Sequence, residues 1–132
     1  MSRWGDQADG RSWELGIAAG GRPYMRVRLV AGKEPMEVTA FAAMPILSGA
    51  PHHIAATLDL NLETKVIPSS DDIESWQVIT VTVFVDGKKA GSATTSIKNG
   101  QYALARSSTA VQLARTCPDA TGPNAPFQQA PY

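Results

Sequence analysis

Along most of this chain apolar residues recur at every second position, the period of a strand with one buried face. Residues 12–18 set Trp13, Leu15 and Ile17 on one face and Glu14 on the other. Residues 23–30 set Met25, Val27 and Leu29 opposite Tyr24, Arg26 and Arg28. Residues 36–42 alternate Met36, Val38 and Ala40 with Glu37, Thr39 and Phe41, and a further run covers 52–59. The densest run is 78–85, where Ile79, Val81, Val83 and Val85 form one face against Thr80, Thr82 and Phe84. Its β-branched residues suit a pleated, half-buried surface. No window carries a capped helical stripe; Thr109–Arg115 comes nearest and is short.

The punctuation between these runs is that of hairpins. Asp86-Gly87 follows the densest strand and signals a type I′ turn, with Lys88–Thr95 as the returning partner. Ala19-Gly20-Gly21-Arg22-Pro23, Ala31-Gly32-Lys33-Glu34-Pro35 and Lys98-Asn99-Gly100 are three more turns. Short strands separated by such signals predict an all-β protein, an antiparallel β-sandwich or barrel. Two stretches break the rhythm. Residues 60–77 read as a strand extension and then a polar loop ending at Trp76, and the prolines of 116–132 predict an extended or disordered tail.

Two segments resemble the laminin G-like family, whose fold is a concanavalin A-like jelly roll. They are His52-His53-Ile54-Ala55-Ala56-Thr57 and Val81-Thr82-Val83-Phe84-Val85-Asp86-Gly87-Lys88-Lys89-Ala90-Gly91-Ser92. In that family a strand reading Trp-His-His-Val-Ala-Ala-Thr-Tyr-Asp precedes a hairpin reading Leu-Tyr-Val-Asp-Gly-Lys. Ser2-Arg3-Trp4 with Trp13-Glu14-Leu15-Gly16-Ile17 is similar to its earlier strand pair, and 103–108 falls where it has a Leu-x-Ile-Gly strand. The likeness covers most of 2–110 and places the domain at 1–115. Pro51 stands in place of the family's Trp, Leu58 where an aromatic is common, and 60–77 makes a long connection. Set against a whole family domain, the chain looks truncated at both ends, which implies a jelly roll with open sheet edges and self-association through them.

The resemblance implies a non-catalytic carbohydrate- or protein-binding and adhesion module of a larger extracellular or periplasmic protein. It also implies calcium at the rim of the sandwich, for which Asp6, Asp9, Asp71 and Asp72, with Glu74, are the acidic loop candidates. Tyr24, Arg26 and Arg28 line one strand face and, if exposed, make a patch for acidic glycans; the alternative is cross-strand pairing with Glu14 or Glu37. Trp76, at the end of a polar loop, is the candidate for an exposed aromatic platform. The other reading of the fold is a polysaccharide hydrolase using Asp59 and Glu63 in Asp59-Leu60-Asn61-Leu62-Glu63. Retaining hydrolysis places two carboxyl groups about 5–5.5 Å apart. A flat strand separates such positions by about 13 Å at about 3.3 Å per residue, so the reaction needs a bulge there. A structural spacer that binds nothing specific is the third reading.

Composition narrows the field without choosing within it. Twelve basic residues balance twelve acidic ones in 132, which removes the general attraction of a nucleic-acid binder for phosphate. No apolar run approaches the roughly 20 residues of a membrane span, and the first residues lack the apolar core of a secretory signal. A single cysteine, Cys117, excludes an internal disulfide and any zinc site built on paired cysteines. His52 and His53, as strand neighbours, are expected to point apart rather than share an ion. No nucleophile elbow, phosphate loop or dinucleotide fingerprint is present.

Overall fold

The computed structural model of this chain describes residues 2–3, 12–46 and 49–104. Within them lie the strands β1 (Ser2–Arg3), β2 (Trp13–Ile17), β3 (Pro23–Ala31), β4 (Glu34–Phe41), β5 (Ile54–Val66), β6 (Ile73–Val85), β7 (Lys88–Lys98) and β8 (Ala103–Leu104). Among the described residues there is no helix, hence none long and apolar enough to cross a membrane. Trp4, Asp6, Asp9, the short helical candidate Thr109–Arg115, Cys117 and the tail 116–132 lie outside the described residues.

The strands make two antiparallel sheets, as alternation and turn chemistry predict. In the first, β1-β2-β3-β4 run as a meander and β8 joins β3. β2 pairs with the first half of β3, from Trp13↔Val27 to Ile17↔Pro23, and β8 with Leu29 and Val30. One edge of β3 is therefore shared end to end by β2 and β8, while β4 takes the other edge. The second sheet is the meander β5-β6-β7. The Asp86-Gly87 turn has positive φ at both residues, 51° and 80°, as a type I′ hairpin requires.

The inner faces of the two sheets form one core, and its members are the alternating residues of three strands. Met25, Val27 and Leu29 of β3 and Val38 and Ala40 of β4, with Ala42 just beyond it, meet Ile79, Val81 and Val83 of β6. Each face assigned to the core by the period-two pattern in these strands is buried, and Tyr24 on the opposite face of β3 is buried as well.

One margin of this sandwich-like arrangement is sealed by backbone. β7 bulges at Ala90, so that Val83 opposes Gly91 and Phe84 opposes Lys89. The bulge presents the Ala90 carbonyl to the amide of Ala43, 2.9 Å away. Gly91 then lies so close to β4 that a Cβ would sit inside the van der Waals envelope of the Phe41 carbonyl. The return from the second sheet to the first is fixed by a side chain acting as backbone. Buried Gln77 donates to the Tyr102 carbonyl at 2.7 Å and accepts from the Tyr102 amide at 2.8 Å, which delivers β8 to β3.

The stretch 60–77 departs from the loop expected of it. β5 and β6 stay paired from Ile54↔Val85 to Val66↔Ile73, and only 67–72 form the connection. Ile73–Trp76, read as loop because of its polar neighbours, is strand because Glu63–Val66 supplies a continuous ladder for it.

Candidate functional site

Among the described residues, the margin opposite the β4–β7 seal is open. Trp13 and Leu15 of β2, Met25 and Val27 of β3, Ala56 and Leu58 of β5 and Leu104 of β8 line a cleft between the sheets of about 280 Å³. The lining is apolar on both sides, because the odd positions of β2 and β3 and the even positions of β5 all turn toward the gap. The same face of β5 and β6 then runs out past the first sheet, where Leu60, Leu62, Val66 and Ile73 are exposed, Leu62 to 73% and Ile73 to 71%. Cleft and stripe form a continuous apolar surface on one flank of the molecule, the kind of patch that marks an interaction site.

β2 is held at this margin from its outer side. Glu14, 3% exposed, accepts from the Tyr24 hydroxyl at 2.6 Å through Oε1 and from Arg26 Nη2 at 2.6 Å through Oε2. Gly16 makes the first bond feasible: it opposes Tyr24 across the strands, and a Cβ there would meet the ring at 3.2 Å. Burial works against the charge on Arg26, but the hydrogen bond and charge of Glu14 outweigh it and hold the guanidinium above its ordinary pKa. Arg28 reaches toward Glu37 at 3.9 Å, and the Tyr24 ring packs on Phe41 with centroids 5.8 Å apart.

These contacts correct the reading of Tyr24, Arg26 and Arg28 as a glycan-binding patch, which required exposure. Tyr24 is 1% exposed, and the side chains of Arg26 and Arg28 are 14% and 12% exposed. Tyr24 and Arg26 bond across strands to Glu14, and Arg28 forms a longer ion pair with Glu37, the alternative that the sequence left open. Trp76 is half-buried rather than a bare platform. Its indole donates to Glu74 at 3.2 Å, and Lys65 Nζ lies 5.1 Å over its ring. Lys98 closes the group on Glu74 at 2.5 Å, and hydrogen bonds from Lys98 and Trp76 hold that carboxyl below its usual range.

The paired histidines sit just ahead of β5. Asp86 gathers both: its Oδ2 lies 2.8 Å from His52 Nδ1, and its Oδ1 accepts from the His53 amide at 2.9 Å. The Asp86 amide in turn donates to the His53 carbonyl at 2.8 Å. The bonds from His52 and from the His53 backbone hold the Asp86 carboxyl below its ordinary value. This clasp ties the start of β5 to the β6–β7 turn, so the two histidines and the Asp-Gly turn serve one structural purpose.

Asp71 and Asp72 lie in the connection 67–72, where Asp71 adopts φ 54° and Ile67 bonds to Asp72. Among the described residues no group of three His, Cys, Asp or Glu side chains is placed to hold a metal ion. Asp59 and Glu63 share the exposed outer face of β5. The β5–β6 register is unbroken there, so the bulge that would bring two carboxyl groups to reacting distance is missing.

Sequence reasoning offered Glu14 as a cross-strand partner but not as a buried one, and it missed Gln77 and Gly91. Glu14 and Gln77 sit in apolar alternating strands, and a polar residue flanked that way is the available signal for a buried hydrogen-bonding role. Gly91 gives no local signal, because its neighbour Phe41 is remote in sequence. Comparison with family models, with curated proteins and with solved structures finds no match for this chain.

Proposed function

We propose that this chain is a non-catalytic binding and adhesion module with a laminin G-like, concanavalin A-like jelly-roll fold, part of a larger extracytoplasmic protein, and that its ligand is a protein surface. The observation that carries the choice of ligand is the open cleft of Trp13, Leu15, Met25, Val27, Ala56, Leu58 and Leu104 with its exposed apolar continuation. Sugars are recognised by polar groups converging around an aromatic face. The cleft offers no such polar set, and Trp76 is already covered by Lys65 and bonded to Glu74. At about 280 Å³ the cleft falls just short of the range of about 300–1,000 Å³ typical of small-molecule pockets, and it suits a few apolar side chains. The family resemblance is supported by the way the His52–Thr57 and Val81–Ser92 segments come together as neighbouring strands clasped by Asp86.

Selection from a displayed peptide library, run beside a glycan array, tests this reading. The expected result is a set of extended peptides with alternating apolar residues, whose binding falls about tenfold with Leu104→Glu at the mouth of the cleft. Glycan binding that is indifferent to Leu104→Glu would overturn it.

A further inference from the structure

We infer that the protein surface taken by this module is a second copy of the chain, joined through β5 about a two-fold axis at Leu62. The inference rests on the binding reading above and names its partner. Among the described residues β5 pairs only with β6, leaving the outer edge of a 13-residue strand without a ladder. Edges are protected by charged side chains, proline, bulges or inward-pointing charges. β5 carries Asp59, Glu63 and Lys65 on its outward face but no proline, bulge or inward charge: its register with β6 is unbroken, and its inward positions 58, 60 and 62 are all leucine.

The sequence of β5 selects one register for symmetric antiparallel pairing. A two-fold axis normal to a sheet must pass through a residue, because only then do facing side chains point to the same side. With the axis at Leu62, Leu62 meets Leu62 of the second copy, and Asp59 meets Lys65 of the second copy, twice by symmetry. Asn61 faces Glu63, and Leu60 faces Thr64. Moving the axis to Asn61 sets Asp59 against Glu63, and moving it to Glu63 sets that residue against itself, like charges in both cases. Moving it to Leu60 loses the ion pairs, and moving it to Thr64 sets Glu63 against Lys65 but shortens the paired stretch of β5 from 58–66 to 62–66. Charge complementarity and length of overlap together therefore favour the Leu62 axis.

The same register matches apolar surface with apolar surface. Val66, exposed at the far end of β5, faces Leu58 of the second copy, which lines the open cleft. The protruding end of each hairpin, with Leu62, Val66 and Ile73, is thereby set beside the cleft of the other copy. Two features that have no partner among the described residues of one chain become complementary in two.

A crosslinking experiment reads the register directly. In antiparallel pairs facing Cα atoms lie about 4.5–5.5 Å apart, within the span a disulfide bridges. Leu62→Cys in a Cys117→Ser background is expected to give a covalent dimer on mild oxidation, while Leu60→Cys in the same background is not. In sedimentation velocity over micromolar concentrations the unmodified chain is expected to dimerise. Asp59→Lys should weaken that dimer roughly tenfold, and Asp59→Lys with Lys65→Asp should restore it. A chain that stays monomeric and leaves Leu62→Cys uncrosslinked overturns the inference. So does a dimer indifferent to the charge reversal. If the monomer still selects peptides in a way that Leu104→Glu abolishes, the binding reading stands and only the choice of partner falls.

Discussion

The two long margins of this sandwich-like pair of sheets are built on opposite principles. At the β4–β7 margin the sheets meet backbone to backbone, with Ala90 bonded to Ala43 and Gly91 against the Phe41 carbonyl. At the β2–β5 margin they stand apart around an apolar cleft, and β2 is held from outside by Glu14, Tyr24 and Arg26. A seal made by backbone leaves no room for a side chain, so it is rigid and intolerant of change. A margin held by hydrogen bonds on its far side keeps its inner face free. The contrast explains how one small core can both close and present an apolar surface.

The largest effect expected from breaking this contrast is at the seal. Gly91→Ala puts a methyl group into the Phe41 carbonyl, and neither strand can yield without disturbing the core of β4 and β6. Overpacking of this kind costs roughly 3 kcal/mol, to be read as a lower midpoint in urea unfolding. A shift below about 0.5 kcal/mol would mean that the margin is not the closed contact described here.

On the open side the sensitive position is Glu14. Glu14→Ala removes the carboxylate that accepts from Arg26 Nη2 and from the Tyr24 hydroxyl in a largely buried setting. The expected loss is about 2 kcal/mol, smaller than a fully buried pair would give because Arg26 keeps some access to water. Hydrogen exchange should quicken chiefly in Trp13–Ile17 and leave Ile79–Val83 protected. Equal loss of protection in both segments would show that the two margins are not independent.

The contrast between margins also separates what the sequence discloses from what it does not. The core was legible because Ile79, Val81 and Val83 and their counterparts in β3 and β4 are apolar on one face only, and burial follows that face. The Asp86-Gly87 turn was legible because few residue pairs adopt positive φ twice in succession. The outer face of β3 was not. Alternation says that Tyr24, Arg26 and Arg28 point away from the core, yet whether an outward face is solvated depends on what else folds over it. The far half of the β5–β6 hairpin was hidden for a related reason. Lys65 and Glu74 are weak strand formers alone and become strand through each other in the ladder. The open cleft was the least legible feature, since a gap depends on the spacing of sheets, and no single strand encodes that spacing.

The smallest expected effect concerns the clasp that anchors β5 at its start. Asp86 is exposed, so its bonds to His52 and to the His53 amide are screened by water and contribute modestly. Their signature is pH dependence rather than magnitude. Because the folded carboxyl is held below the ordinary value of 3.8, its stabilisation is fully present above that value. It is lost as pH falls through the lower folded pKa, where Asp86 takes up a proton and ceases to be a charged acceptor. Thermal midpoints measured from about pH 6 to about pH 2 should therefore show Asp86→Asn less stable than the unmodified chain at the upper end, with the gap closing toward the lower. Were the gap to stay constant across that range, the clasp would be acting through the shape of the Asp-Gly turn alone. The open margin would then owe the position of β5 to its ladder with β6, and the carboxylate would have no part in holding it.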